Sequence, residues 1–256
     1  MGRVIAVANQ KGGVGKTTTS INLAACLAEK GMKVLAVDMD PQGNMTSGFG
    51  VDKNGLEYTI YDVMCDECNV GECMLINVVP GLNLIPAGRE LAGAEVELSG
   101  EPNMQYILKG ILKNIRDKFD FIIIDCPPAL GMLTVNSMTA ADTVLVPIQC
   151  EFFALDGLSQ LLYTINLIQK KLNKNLKLEG VVFTMYDSRT NLSLQVVENV
   201  KENLTQNIYK TIIPRNVRLA EAPSHGLPIN LYDTRSTGAE SYRLLADEVI
   251  TNINII

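Results

Sequence analysis

The sequence predicts a doubly wound α/β domain with a mainly parallel sheet and helices on both of its faces. Two observations carry this. Short runs rich in Val, Ile and Leu, each about as long as a buried parallel strand, alternate with longer amphipathic stretches. A glycine-rich turn joins the first such run to the first helical stretch. Strand, helix, strand in this order requires right-handed crossovers and a sheet covered on both sides.

The predicted strands are Val4–Ala8, Val34–Val37, Phe121–Ile124, Thr143–Pro147 and Leu178–Thr184, with a late strand Ile208–Ile213 ending at Pro214. Between them lie helix-like segments Thr17–Lys30, Met104–Lys118, Gly157–Leu172 and Asn191–Leu204, and Gly238–Ile253 reads as a closing helix. No repeat, low-complexity segment or Gly/Ser/Pro-rich linker interrupts the pattern, so 1–256 is expected to form one domain. The stretch Asp52–Gly100 is the least regular and reads as a surface insertion with short helices.

Composition limits the chemistry. Tryptophan is absent and His225 is the single histidine, which excludes a mechanism or metal site built on several histidines. A net charge of −6 means that any nucleic-acid binding must come from a local basic patch, assembled by dimerisation, and not from the molecule as a whole. With no leader-like start and no apolar run long enough to span a bilayer, a cytoplasmic protein with reduced cysteines is expected.

The strongest motif is Asn9-Gln10-Lys11-Gly12-Gly13-Val14-Gly15-Lys16-Thr17-Thr18, directly after the first strand and opening the first helix. In that setting backbone N–H groups and the helix N-terminus converge on an anion, and glycines let the chain approach it closely. Lys16 can reach β- and γ-phosphates, and the Thr17 hydroxyl can ligate Mg²⁺. The standard phosphate loop has a glycine where this chain has Gln10, and a second lysine, Lys11, follows at once. Lys11 is expected to reach across a subunit interface to a partner's phosphates, in the manner of an arginine finger.

KGGVGKTT resembles the signature of the deviant Walker A ATPases, a group that includes ParA/Soj, MinD and the nitrogenase iron protein. The resemblance implies ATP and Mg²⁺ as ligands, hydrolysis of ATP to ADP and phosphate, and a nucleotide-sandwich homodimer that forms on binding ATP. Two carboxylate runs suit such a site: Val37-Asp38-Met39-Asp40-Pro41-Gln42-Gly43 after the second strand and Ile124-Asp125-Cys126-Pro127-Pro128 after a later one. Asp125 looks like the Walker B acid that contacts Mg²⁺ through water. Asp38 is expected to support the metal and the loop. Asp40 resembles the family residue that positions the attacking water.

Similarity to ParA/Soj partition ATPases runs over almost the whole chain. It is carried by ANQKGGVGKTTTSINLAACLA, VDMDPQGNMTSGFG, IDCPPALG, TMYDSRTNLSLQVVENV and IPRNVRLAEAPSHGLPI. In that branch the segment Pro214–Asn216 lines the adenine, which implies contacts from Pro214 and Asn216. Arg189 and Arg218 match arginines used against the DNA backbone, a role that suits a planar bidentate donor. Residues 180–256 nevertheless hold seven Lys or Arg against eight Asp or Glu, so no basic run accompanies them. The expected cycle is non-specific DNA binding by the ATP dimer on the nucleoid. Release follows hydrolysis stimulated by a ParB/Spo0J-type centromere-binding partner. No room exists for a helix-turn-helix ahead of the loop, so operator binding is not expected.

Two other readings compete. A MinD-like membrane switch needs a basic amphipathic tail, whereas the tail from Ser241 carries Arg243 against Asp247 and Glu248. A positioning ATPase for a protein cargo shares every motif above. Cys65, Cys68 and Cys73 form C-x₂-C-x₄-C without a fourth ligand, while Cys26, Cys126 and Cys150 read as small core residues. His225 sits in a turn-like Pro-Ser-His-Gly stretch and reads as structural.

Overall fold

The computed structural model describes residues 2–151, 154–204 and 207–252. Among them eight strands form one sheet in the order β3-β4-β2-β5-β1-β6-β7-β8. The strands are β1 (Arg3–Val7), β2 (Val34–Asp38), β3 (Leu75–Val79), β4 (Leu82–Ile85), β5 (Phe121–Asp125), β6 (Thr143–Gln149), β7 (Lys177–Tyr186) and β8 (Ile208–Pro214). Every pairing is parallel except β3 with β4.

Strand alternation builds two cores. Val4, Ala6, Leu35, Val37, Ile122, Ile124, Val144 and Val146 face one side, and Ile5, Val7, Val34, Ala36, Phe121, Ile123 and Leu145 face the other. The first core is closed by the helices Ile107–Lys113, Met132–Ala140, Ala154–Lys171 and Asn191–Asn203. The second is closed by Lys16–Glu29 and Thr237–Asn252, whose Leu23, Leu27, Leu245 and Val249 are fully buried. Such side chains each contribute roughly 1.5–3 kcal/mol by burial, which is why the strands need no polar face.

Three expectations are corrected. The irregular 52–100 stretch is not only short surface helices: it supplies β3 and β4, and β4 pairs with β2 and buries Leu82 and Leu84. The predicted 104–118 helix is broken, with regular helix only over Ile107–Lys113 between single 3₁₀ turns. Strand β6 runs on through Pro147 to Gln149. Proline is tolerated there because β1 pairs only as far as Leu145, so the missing N–H interrupts no ladder, and the Pro147 carbonyl instead accepts from Asn9 Nδ2 at 2.8 Å. Other boundaries move by one to three residues. Ile253, the expected last residue of the closing helix, lies outside the described residues.

Candidate nucleotide site

The site forms where β1 parts from its neighbours. Its loop emerges between the carboxyl ends of β5 and β6, the crevice that open α/β sheets use for ligands. Gly13 and Gly15 have φ of 74° and 87°, a region that a Cβ disfavours, and Gly15 is the residue from which the helix springs. The helix begins at Lys16, and Thr19 N is the first to donate back, to Gly15 O at 2.9 Å. No acid occupies its first turn, so the positive end of the helix is left for an outside anion.

Side chains from distant parts of the sequence hold the loop. Asn9 donates Nδ2 to Pro147 O and accepts Lys11 N–H at 3.0 Å through Oδ1. Thr184 Oγ1 donates to Val14 O at 2.8 Å, tying the loop to β7. Lys16 is almost wholly buried and its Nζ donates to Lys11 O at 2.9 Å, so the ammonium lies folded inside the loop. Burial lowers its pKa, with the nearby Asp125 carboxylate opposing. Lys11, by contrast, extends outward and is ion-paired with Glu151.

The carboxylates meet beside the loop. Asp38 and Asp125 are directly paired in register across β2 and β5, and both are completely buried. Asp38 accepts from Thr46 N and Thr46 Oγ1, each at 2.8 Å, and from Asp40 N at 3.1 Å. Asp125 Oδ1 accepts from Ser20 Oγ at 2.8 Å, while its Oδ2 is buried with no hydrogen-bond partner in the protein. Burial raises both carboxyls, each is raised further by a neighbouring aspartate, and the Thr17 and Ser20 hydroxyls pull Asp125 the other way. A cation at Asp125 Oδ2 would satisfy the orphan oxygen and reverse the effect of burial. The orphan Asp125 oxygen therefore suits a magnesium ion, whereas both Asp38 oxygens already accept hydrogen bonds from Thr46 and Asp40. Asp40 stands on the loop after β2, accepting Gln42 N–H at 2.9 Å, and that loop is clamped by Lys53 Nζ on Gln42 O at 2.7 Å.

A cavity of about 370 Å³ opens from Gly15 and Thr18 toward Thr184, Met185, Pro214 and Asn216, with mainly apolar walls. Sequence reasoning named Pro214 and Asn216. Here the Asn216 side chain is occupied, because Oδ1 caps the Val217–Glu221 helix through Arg218 N and Leu219 N and Nδ2 donates to Thr237 Oγ1 at 2.8 Å. Asn216 nevertheless remains among the residues that line the cavity. Asn9 was read only as the start of the loop, and Thr184, Ser20 and Thr46 were assigned no role, since each acts through a contact with a residue outside its own motif.

Arg189 and Arg218 are exposed on the loop after β7 and on the short helix after β8. Both already have carboxylate partners. Arg189 makes a bidentate pair with Asp187, at 2.8 and 2.6 Å, which pulls the Asp187 carboxyl well below its usual range. Arg218 meets Glu221 at 2.8 Å and Asp233 at 3.4 Å. His225 stacks on Tyr232 with ring centroids 4.8 Å apart. Among the described residues no three His, Cys, Asp or Glu side chains converge on a metal position, and Cys73 is buried beside the half-buried Cys65 and Cys68. No helix among them is long and apolar enough to cross a membrane.

Comparison with known proteins agrees with this geometry. An AAA domain family matches residues 2–178. The sporulation initiation inhibitor protein Soj of Bacillus subtilis is 56% identical over 252 residues, covering 98% of this chain and 100% of that protein. The chromosome partitioning protein ParA of Myxococcus xanthus is 49% identical, covering 98% and 88%. Among solved structures, a cobyrinic acid a,c-diamide synthase from Mycobacterium smegmatis with bound ADP and magnesium superposes with a TM-score of 0.88 at 39% identity, covering 99% and 96%. The Pyrococcus furiosus cell division ATPase MinD superposes at 0.81 and 28% identity, covering 98% and 99%. The chain belongs to the ParA/Soj family of chromosome-partitioning ATPases.

Proposed function

We propose that the chain is an ATP-dependent DNA-partition switch. The observation that carries this is the meeting of the Lys16 loop, the orphan oxygen of Asp125 and the apolar cavity at one point. Pro214 and the Asn216 backbone receive the base, the Gly12–Thr18 amides and Lys16 receive the phosphates, and Thr17, Asp38 and Asp125 hold Mg²⁺. When bound, the metal neutralises charge on the β- and γ-phosphate oxygens. Asp40 orients the attacking water, and its loss is expected to trap the ATP state. Lys11 exchanges Glu151 for the phosphates of a second copy, so that ATP closes a homodimer.

The dimer then binds DNA without sequence preference through Arg189 and Arg218, and hydrolysis stimulated by a ParB/Spo0J-type partner releases it. Phosphate must displace Asp187, Glu221 and Asp233 from these arginines, which makes the binding weak per subunit and dependent on two copies. The test uses Asp40→Ala and random-sequence duplex DNA, with ATP, with ADP and without nucleotide, over a range of salt. The expected result is ATP-dependent, salt-sensitive binding that vanishes in Arg189→Ala/Arg218→Ala. An ATP dimer that ignores DNA at low salt would leave the switch and remove the DNA role, in favour of a protein cargo.

A further inference from the structure

We infer that Met185 is a specificity-determining residue of the base cavity, set there by a backbone irregularity so that its thioether packs against a planar aromatic base; this rests on the nucleotide reading above. Among the described residues four that are not glycine have positive φ: Asp66, Asn77, Asn103 and Met185. The first three are the types whose short polar side chains make this region accessible. Methionine has no such local compensation, yet Met185 sits at φ 51°.

The cause lies in the strand register. From Phe183 to Tyr186 strand β7 uses three steps where its partner β8, from Ile212 to Pro214, uses two, so β7 carries one extra residue here. Both neighbours of Met185 are pinned. On one side Thr184 Oγ1 holds the phosphate loop at Val14 O, and on the other Tyr186 O accepts Arg215 N–H at 2.9 Å. The extra residue is thereby fixed between the segment that would hold phosphate and the segment that would hold the base. Its side chain joins Thr18, Ile213 and Pro214 in lining the cavity, and its Cε lies 3.9 Å from where a Cβ on Gly15 would stand. An unstrained strand would alternate this side chain along the pleat, and the bulge re-aims it. A polarisable thioether gains most against an aromatic ring, and the mainly apolar walls around it suit a planar heterocycle better than a sugar or a phosphate.

The test compares Met185→Ala, Met185→Leu and Met185→Gly in the full chain, titrated with ATP, ADP and inorganic tripolyphosphate, with a melting curve for each. The alanine variant is expected to bind ATP and ADP about 5–10-fold more weakly, the loss of a sulfur–aromatic contact. Tripolyphosphate binding should be unchanged, because the loop stays tied by Thr184. Leucine should restore most of the nucleotide affinity. Glycine should bind as weakly as alanine yet melt no lower than the wild type, since it relieves the positive φ. Wild-type ATP affinity in the alanine variant, or an equal loss of tripolyphosphate and ATP, overturns the assignment and leaves the nucleotide reading intact. A wild-type chain that binds no ATP overturns both.

Discussion

The carboxyl edge of the sheet holds two kinds of polar surface that differ in how they are built. At the nucleotide site the groups are buried and interlocked: Asp38 with Thr46, Asp125 with Ser20, Val14 with Thr184, Asn9 with Pro147. At the arginine surface the groups are exposed, and Arg189 is 84% accessible at its side chain while already paired with Asp187. Buried pairing fixes geometry before a ligand arrives, which is what phosphate chemistry requires. Exposed pairing fixes little and is worth at most about 1 kcal/mol, so it can be exchanged for a phosphate at small cost. One region is preorganised in the single chain. The other, on the proposed reading, would become a binding surface only when two copies present it together.

The comparison can be broken most sharply at Lys16. Its ammonium is buried inside the loop, so Lys16→Ala should reduce MgATP affinity on the order of 100-fold or more by calorimetry, with the melting temperature in the absence of nucleotide nearly preserved. A smaller effect is expected one contact away. Thr184→Val leaves the Val14 carbonyl without its donor, and ATP affinity should fall about 5–10-fold as the loop loosens. Were the loop held by its glycines alone, this variant would bind normally.

The arginine surface should respond in the opposite sense to removal of an acid. Asp187→Ala releases Arg189 and should strengthen DNA binding a few-fold, whereas Arg189→Ala should weaken it and reduce the salt dependence by about one unit of slope. If both substitutions leave DNA affinity alone, the surface is only a solvated ion pair. The smallest effect concerns neither site. Hydrogen bonding to Arg243 holds the Glu29 carboxyl below its ordinary value of 4.5, so the pair contributes fully above about pH 4.5 and the contribution is lost as the pH falls through the lower folded-state value. Arg243→Ala should therefore reduce stability near neutral pH by under about 1 kcal/mol, given the exposure of both side chains, and by less in strong acid, where only the bond from Arg243 to Thr234 O is lost.

The contrast also explains what was legible in the sequence. Asn9–Thr18 could be read because a phosphate loop is local: the glycines, the lysine and the helix start follow one another along the chain. Asp38 and Asp125 could be read because each follows an uninterrupted apolar run, and the sheet brings them into register, whereas Asp40 was picked out by its resemblance to a family residue. Ser20, Thr184 and Met185 could not. Ser20 reaches Asp125 across 105 residues and Thr184 reaches Val14 across 170, and no spacing rule records such contacts. Met185 depends on a register shift that only the pairing of β7 with β8 creates. Strands β3 and β4 were missed for a related reason. They are only five and four residues long, and Asn77, with φ 53°, breaks the alternation that marks a strand. Asp187 and Glu221 are close in sequence to the arginines they pair with, but whether a nearby acid pairs with a given arginine is decided by turn geometry.

The most direct test of the account is the mass of the protein in solution as a function of nucleotide. Sedimentation velocity of Asp40→Ala should show a monomer without nucleotide and with ADP, and a dimer with MgATP. The dimer should be lost when Lys11→Ala is added, because Lys11 would then have no charge to carry from Glu151 to the second copy's phosphates. The same mass with ATP as with ADP, in a protein shown to bind both, would contradict the claim that ATP closes two chains on each other.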